Sequence, residues 1–221
     1  MRREIITTGD GSKTIQIVDW NEQYHSVHGA IQEAYHVFIK SGLSLFKDRQ
    51  LAILEIGFGT GLNAFITLLE APKLNLEIYY CGVEAYPVTT EELNLLNYVS
   101  ELGAERFSHD FLKMHQCAWE VDSAISKDFI VHKQKKDFLA LRHTDKFHLI
   151  YFDAFGARVQ PELWTEELFQ IAFKALKAGG ILVTYAAKGS VRRAMLAVGF
   201  TVERLQGPPG KREMLRATKP I

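Results

Sequence analysis

The sequence predicts an α/β fold in which a mostly parallel sheet is covered by helices on both faces. Three observations lead to this prediction. Continuous apolar runs suited to buried parallel strands recur along the chain, beginning with residues 51–56. Segments with apolar residues at helical spacing separate these runs. A glycine-rich turn joins the first run to the helix that follows it. Strands that alternate with helices imply right-handed crossovers and therefore a parallel sheet.

The first 46 residues predict a β-hairpin and a helix. Two β-prone runs, residues 4–8 and 14–18, flank the turn-forming Gly9-Asp-Gly. Apolar residues then recur at helical spacing over residues 30–46, with Gly42 as a late breaker. We expect this part to be an N-terminal elaboration of a single domain that spans residues 1–221.

The alternating part continues to the C-terminus. After the first strand and a helix at 62–69, the predicted strands are 77–84, 129–134, 147–152, 181–185 and 200–205, and the predicted helices are 161–176 and 191–197. Gly179, just past the helix over 161–176, indicates its C-terminus. The turn at residues 207–210 leads into a closing strand, 214–218, which would add an antiparallel edge. Residues 89–127 hold more helical pattern than one crossover needs and predict a helical insertion.

The composition is that of an ordinary globular protein, with 47% hydrophobic and 24% charged residues. Because 26 basic residues balance 26 acidic ones, net charge predicts no polyanionic partner, and nucleic-acid contact would need a local basic patch. No apolar run approaches the length of a membrane span and no leader pattern opens the chain, so we expect a soluble, cytoplasmic protein. The two cysteines are expected to be reduced, and no Cys/His spacing predicts a metal site.

The turn after the first strand reads Glu55-Ile-Gly57-Phe-Gly59-Thr-Gly61 and predicts a cofactor site. Glycines let the backbone turn sharply and approach a ligand where a Cβ would collide. A dinucleotide site would have G-x-G-x-x-G spacing and no carboxylate facing the pyrophosphate. A carboxylate at Glu55 would repel a pyrophosphate but favour a sulfonium and an α-ammonium group. S-adenosylmethionine is therefore favoured over NAD; a glycine turn used only for packing is the remaining alternative.

Acidic residues after the later strands extend this site. Glu84 ends the second strand, where its carboxylate would accept two hydrogen bonds from a ribose diol. Asp137 follows the third strand and could accept the adenine amino group while Phe138 packs on the ring. Asp137 could equally cap a helix, and the two roles are compatible. Asp153 ends the fourth strand, with Phe155 close behind, and is the candidate for the reacting centre; a turn cap is the alternative.

Six motifs allow a more specific interpretation. They are Glu55-Ile-Gly-Phe-Gly-Thr-Gly-Leu-Asn63, Phe152-Asp-Ala-Phe155, Pro161-Glu-Leu-Trp164-Thr, Gly189-Ser-Val-Arg192-Arg193, Ala197-Val-Gly-Phe200 and Gly210-Lys-Arg-Glu-Met214-Leu. Together they resemble the methyltransferase family of MnmC and MnmD, from about Tyr24 to the C-terminus. The resemblance implies a class I (Rossmann-like) methyltransferase fold and S-adenosylmethionine as methyl donor. It also implies tRNA as substrate, methylated on the aminomethyl nitrogen of a modified wobble uridine.

The resemblance implies roles for individual residues as well. Cofactor contacts are implied for Glu55, Gly57, Phe58, Gly59, Gly61, Asn63, Glu84, Asp137 and Phe138. Asp153 would be the catalytic residue beside the substrate amine. A looser match places Tyr24, Ser26 and Glu33 near the mouth of the active site, and Phe155, in the motif that contains Asp153, is a further substrate-binding candidate. The oxidase that is fused to bifunctional members does not follow, so the resemblance is to the stand-alone form, which would work together with a separate modification enzyme.

Basic residues in the last third of the chain predict a tRNA-binding patch if they converge in the fold. These are Lys188, Arg192, Arg193, Lys211 and Arg212. The alternative for each of them is a solvated surface charge, which is also our interpretation of the basic run at residues 133–136. Three other functions stay open: a methyltransferase for another small-molecule or protein acceptor, an NAD-dependent oxidoreductase, and a catalytically silent tRNA-binding module.

Overall fold

The computed structural model describes residues 2–221. Its strands are β1 (Arg3–Thr7), β2 (Lys13–Ile17), β3 (Glu22–Gln23), β4 (Arg49–Ile56), β5 (Leu76–Val83), β6 (Asp122–Ser126), β7 (Phe129–Gln134), β8 (Phe147–Phe152), β9 (Leu176–Thr184), β10 (Thr201–Gln206) and β11 (Glu213–Thr218). Its α-helices are α1 (Ala30–Ala34), α2 (Leu62–Glu70), α3 (Thr90–Asn94), α4 (Tyr98–Glu101), α5 (Ser108–Gln116), α6 (Glu166–Ala175) and α7 (Gly189–Ala197).

Within the described residues, eight strands form one mixed sheet in the order β10-β11-β9-β8-β4-β5-β7-β6. The five strands from β9 to β7 are parallel, as the sequence predicts. β10 and β11 form the predicted antiparallel edge beside β9. After β4 the chain first builds the sheet towards β5 and β7, and later returns to place β8 and β9 on the other side of β4. The carboxyl ends of β4 and β8 therefore meet at a switch point, where α/β sheets bind ligands.

Strand β4 shows how the sheet separates two hydrophobic cores. Its side chains alternate between the faces of the sheet, as the geometry of a strand requires. Leu51 and Ile53 face one core, which contains α2 and the N-terminal helical segment. Leu54 and Ile56 face the other core, which contains α6 and α7. The continuous apolar run in the sequence thus reflects a strand that is buried on both faces.

The N-terminal region adds a small second sheet to this architecture. β1 and β2 pair as the predicted hairpin, and β3 extends it by two residues. The predicted helix begins with α1 and continues as a π-helical segment over Tyr35–Lys40. Trp20, Tyr24 and His25 lie between β2 and α1, and they reach the carboxyl-terminal edge of the main sheet.

Two local predictions were wrong. Residues 89–127 contain three short helices, but Asp122–Ser126 is β6, an antiparallel partner of β7. Ile125 is buried while its neighbours Ala124 and Ser126 are exposed. In so short a segment, one buried apolar residue between exposed ones is compatible with a strand and with a turn of helix alike. The helix predicted over 161–176 starts as a 3-10 turn and ends at Ala175, and Gly179 lies within β9 instead of at a helix end.

Three further features of the described chain bear on function. No helix of residues 2–221 is long and apolar enough to cross a bilayer. Cys81 and Cys117 are both free thiols. In the same range, no three His, Cys, Asp or Glu side chains are grouped so that they could hold a metal ion.

Candidate active site

A cleft with an empty volume of about 1020 Å³ lies at the carboxyl ends of the central strands. The loops after β4, β5, β7 and β8 form its floor and sides. The predicted site residues that line it are Tyr24, Gly57, Phe58, Gly59, Asn63, Glu84, Asp137, Phe138, Asp153 and Phe155. Residues that follow four different strands thus come together at one edge of the sheet, because the carboxyl ends of parallel strands share that edge.

The glycine loop has a conformation that only glycine adopts readily. Gly57 has a φ of +96°, and a Cβ built there would lie 2.5 Å from the backbone oxygen of Asp153. The loop after β4 therefore passes directly against the loop after β8. Gly61 has a φ of +71° and precedes α2; it is not among the residues that line the cleft.

Glu84 ties the glycine loop to the end of β5. One of its carboxylate oxygens accepts a hydrogen bond from the Gly59 N–H at 2.9 Å. The other accepts from the Tyr86 N–H, also at 2.9 Å. Each carboxylate oxygen can accept a further hydrogen bond, so both remain available to a ligand in the cleft.

Asn63 connects two buried carboxyl groups. Its amide nitrogen donates to Glu55 Oε1 at 2.9 Å and to Asp153 Oδ2 at 2.8 Å. Glu55 is 1% exposed and lies behind Asn63, so it does not itself line the cleft. Burial raises the pKa of Glu55 well above its usual value. Within residues 2–221, Glu55 Oε2 and Asn63 Oδ1 are both buried without a hydrogen-bond partner.

Asp153 is the carboxyl group that faces the cleft from the end of β8. Its N–H donates to the Ile56 carbonyl at 2.9 Å, which fixes the backbone against β4. Burial, and then the charge of Glu33, raise the pKa of Asp153 to about 7, while the hydrogen bond from Asn63 and the charge of Lys211 oppose this shift. A carboxyl group with a pKa near neutrality can take up or release a proton under ordinary conditions.

The N-terminal sheet covers the cleft. The ring of Tyr24 meets the ring of Phe155 edge-on, with centroids 4.9 Å apart, and Trp20 meets Phe155 at 5.8 Å. The guanidinium of Arg3 lies 5.6 Å from the Tyr24 centroid and donates to the Tyr86 carbonyl at 2.8 Å. Sequence patterns did not identify Arg3 or Trp20, because a surface hairpin is brought over the cleft only by tertiary packing.

A second cavity, with an empty volume of about 650 Å³, adjoins the cleft. Tyr24, His25, Ala154 and Phe155 line both cavities. The predicted residues Ser26, Glu33 and Lys211 line this second cavity and not the cleft. The match that placed Ser26 and Glu33 near the mouth of the site thus corresponds to a separate, adjoining space.

The prediction for Lys211 needs correction. It was grouped with cations that face solvent and phosphate, but its ammonium forms an ion pair with the buried carboxylate of Glu33. The Lys211 Nζ also lies 3.9 Å from the ring centroid of Tyr185. The turn at residues 207–210 is the reason, since it packs against His28 at Gly210 and so directs the next residue inward.

The other predicted cations lie outside both cavities. Lys188, Arg193 and Arg212 are exposed, and Arg192 is half-buried. Lys188 is the N-cap residue of α7, Arg192 and Arg193 lie within this helix, and Arg212 directly precedes β11. The interpretation of residues 133–136 as a solvated face was wrong for Lys133, which is 1% exposed and whose Nζ lies 4.7 Å from the Trp119 ring centroid.

Asp137 and Phe138 occupy the side of the cleft after β7. Asp137 Oδ1 accepts from the Leu139 N–H at 2.8 Å and caps a short 3-10 turn over Phe138–Ala140. The capping alternative for Asp137 is therefore confirmed, and its second carboxylate oxygen is left for another partner. Phe138 is 8% exposed and presents part of its ring to the cleft.

Solved structures resemble this fold over most or all of its length. The chain aligns with MnmC2 from Aquifex aeolicus with a TM-score of 0.78 and 24% identity, covering 100% of this chain and 72% of that one. A methyltransferase from Pyrococcus furiosus aligns with a TM-score of 0.53 and 18% identity, covering 93% of this chain and 91% of that one. The predicted class I methyltransferase fold is thereby confirmed.

Curated relatives agree with the structural likeness. The tRNA 5-methylaminomethyl-2-thiouridine biosynthesis bifunctional protein MnmC of Actinobacillus pleuropneumoniae is 29% identical over 228 residues, covering 91% of this chain and 33% of the relative. The protein of the same name from Aromatoleum aromaticum is 30% identical over 218 residues, covering 89% of this chain and 32% of the relative. The chain thus spans about one third of the length of these relatives.

A family comparison identifies the cofactor. Residues 102–220, more than half of the chain, match the family Methyltransf_30, described as S-adenosyl-L-methionine-dependent methyltransferase. This match confirms S-adenosyl-L-methionine as the cofactor, as Glu55 and the G-x-G-x-G spacing predict. The chain belongs to this family of S-adenosyl-L-methionine-dependent methyltransferases.

Proposed function

We propose that this protein transfers the methyl group of S-adenosyl-L-methionine to the aminomethyl nitrogen of a modified wobble uridine in tRNA. The observation that carries this proposal is the position of Asp153, a carboxyl group with a raised pKa at the cleft, hydrogen-bonded to Asn63 beside the glycine loop. The name of the MnmC relatives supports the choice of acceptor. The enzyme would work in the cytoplasm, and a separate reaction must supply the aminomethyl group.

The residues of the cleft suit this cofactor. A buried oxygen without a partner, Asn63 Oδ1, is the acceptor that an α-ammonium group needs. Glu84 would accept the ribose hydroxyls, and Asp137 with Phe138 would hold the adenine ring. Gly57 and Gly59 would let the ligand approach the backbone. We assign Glu55 the role of orienting Asn63 from behind it.

The chemistry of the acceptor explains why a carboxylate belongs at Asp153. The cofactor supplies a methyl group bound to a positively charged sulfur. An alkylamine with a pKa of about 10.4 is neutral in only about four molecules per ten thousand at pH 7. Asp153 would capture the ammonium form, accept one of its protons and hold the freed lone pair in line for the methyl group. The C–N bond then forms as the S–CH₃ bond breaks, and the methylated ammonium later releases a proton.

The pKa of Asp153 predicts how the reaction depends on pH. If Asp153 must be ionised to capture the ammonium, log(kcat/KM) rises with unit slope and levels off near pH 7. The measurement is a pH profile with a saturating methyl donor. A rise that continues to the pKa of a free alkylamine, about 10.4, would mean that solvent removes the proton, and would contradict this role.

The acceptor itself is tested with undermodified tRNA. Purified protein and radiolabelled S-adenosyl-L-methionine are incubated with tRNA that carries the 5-aminomethyl group, and the digested nucleosides are analysed by mass spectrometry. We expect the methylaminomethyl nucleoside to appear only in tRNA that carries this group. Methyl donor binding without transfer to this tRNA would overturn the choice of acceptor while leaving the family assignment intact.

The cations of α7 are proposed to contact tRNA phosphates. The double substitution Arg192→Glu and Arg193→Glu should weaken tRNA binding and flatten its dependence on salt, since two phosphate contacts are lost. Fluorescence anisotropy at several salt concentrations measures the slope. Lys127→Glu with Lys174→Glu makes the same charge change at other exposed positions and serves as control. Equal slopes for the two double variants would count against the patch.

A further inference from the structure

The second cavity provides a space for the methyl acceptor beside Asp153. It shares the wall formed by Tyr24, His25, Ala154 and Phe155 with the cofactor cleft. The Tyr185 hydroxyl, which also lines this cavity, donates to the Ala154 carbonyl at 2.8 Å, directly beside Asp153 in the chain. A ligand in this cavity would therefore be adjacent to the reacting centre without occupying the cofactor cleft.

In this cavity, the Lys211 ammonium is a hydrogen-bond donor and the adjacent Glu33 carboxylate is an acceptor. The Glu33 residue is 6% exposed, and one of its oxygens accepts from the Ser26 N–H at 2.9 Å. Its other oxygen accepts from the Lys211 ammonium. Both oxygens can accept again, and the ammonium has two further N–H donors. Because burying a charge pair costs free energy, the burial of this pair is weak evidence for a stabilising role.

The arrangement is complementary to one edge of a uracil base. The imide edge of uracil presents a carbonyl, an N–H and a second carbonyl in a row. Lys211 can donate to the 4-carbonyl while Glu33 accepts the N–H, and charged partners make these hydrogen bonds stronger than neutral ones. The C5 substituent points away from that edge, so with the imide edge on the pair it would be directed to the other side of the cavity. The rings of Tyr24, Phe155 and Tyr185 supply surfaces on which an extruded base packs.

We propose that the second cavity binds the acceptor uracil, with Glu33 and Lys211 as the residues that select uracil over cytosine. This inference rests on the proposed function, because it takes a 5-substituted pyrimidine as the substrate. Cytosine has the same shape but presents a ring nitrogen lone pair where uracil has an N–H. That lone pair would face the Glu33 carboxylate, and its amino group would face the Lys211 ammonium. Both contacts are unfavourable.

The test compares two RNA stem-loops that differ only in this base. One carries 5-aminomethyluridine and the other 5-aminomethylcytidine at the wobble position, and kcat/KM for methyl transfer is measured with the full chain. The wild type should prefer uridine at least about fiftyfold, as expected for a site that leaves charged groups unpaired against the wrong base. In Glu33→Gln with Lys211→Met, which removes both charges together, the preference should fall below about fivefold.

Controls separate recognition from stability. The pair of Glu70 and Lys73, 2.8 Å apart, lines neither cavity; it receives the same substitutions and should keep the full preference. S-adenosyl-L-methionine affinity should be unchanged in both double variants. If the Glu33 and Lys211 double variant does not fold, Glu33→Gln alone is compared in its place.

The outcomes are distinct. A variant that methylates and still prefers uridine fiftyfold overturns the base-selection role. A wild type that binds the methyl donor but methylates neither RNA overturns the proposed function, and the inference with it.

Discussion

Replacing Asp153 with Asn is expected to lower kcat/KM for methyl transfer at least about a hundredfold, while S-adenosyl-L-methionine affinity changes less than about threefold. The amide has nearly the same shape as the carboxyl group. It cannot attract the substrate ammonium or accept its proton, so the fraction of neutral amine in the site falls. Radiolabelled methyl transfer and calorimetric titration of the methyl donor measure the two quantities separately.

Stability provides an internal check on this variant. The pKa of Asp153 is raised from its usual value of 3.8 to about 7, so folding favours the protonated form. Ionisation of Asp153 therefore costs stability as the pH rises from 3.8 to about 7, and the full cost is present above 7. The Asn variant should unfold at the same or a higher temperature than the wild type at pH 8, which excludes misfolding as the cause of lost activity.

An exposed aspartate provides the matched control. Asp128→Asn makes the same chemical change in the turn between β6 and β7, at the opposite end of the sheet from the cleft. It should retain full activity. Near-normal turnover in Asp153→Asn would contradict the assignment of Asp153 as the catalytic residue.

Substituting Gly57 with Ala is expected to abolish methyl-donor binding at any concentration that can be tested. The new Cβ would lie 2.5 Å from the backbone oxygen of Asp153, and packed strands hold the backbone of both residues in place. Relief requires the loops after β4 and β8 to separate, which would distort the cofactor cleft and the reacting centre together. Thermal shift with added S-adenosyl-L-methionine measures the loss, and we expect no stabilisation by the ligand.

Gly103 distinguishes this steric effect from the backbone cost that is common to both positions. It has a φ of +57°, and a Cβ built there has no atom within 4 Å. Gly103→Ala should therefore lower the free energy of unfolding only by the cost of a left-handed backbone, about 1 kcal/mol, and should bind the methyl donor normally. Normal binding in Gly57→Ala would show that the two loops move apart easily, contrary to the packing described above.

Much of the site could be predicted because parallel α/β sheets place their ligands by rule. Glu84, Asp137 and Asp153 each follow a strand, and their order along the chain already puts them on one edge of the sheet. The glycine spacing and Glu55 favour S-adenosylmethionine over NAD from the sequence alone. The prediction of helix at Asp122–Ser126 was wrong because five residues are too few to distinguish a helical pattern from a strand pattern.

The sequence by itself determined the alternation of strands and helices, the glycine loop and the carboxyl groups at strand ends, because these depend on residues close together along the chain. Only the tertiary structure decided that the N-terminal sheet covers the cleft and that Lys211 pairs with Glu33, 178 positions away. No short-range repeat in the sequence predicts a contact between residues so far apart along the chain. The ion pair forms because the N-terminal segment packs against the turn at residues 207–210 and buries Glu33 and Lys211 together. Each charge then compensates the other's loss of hydration.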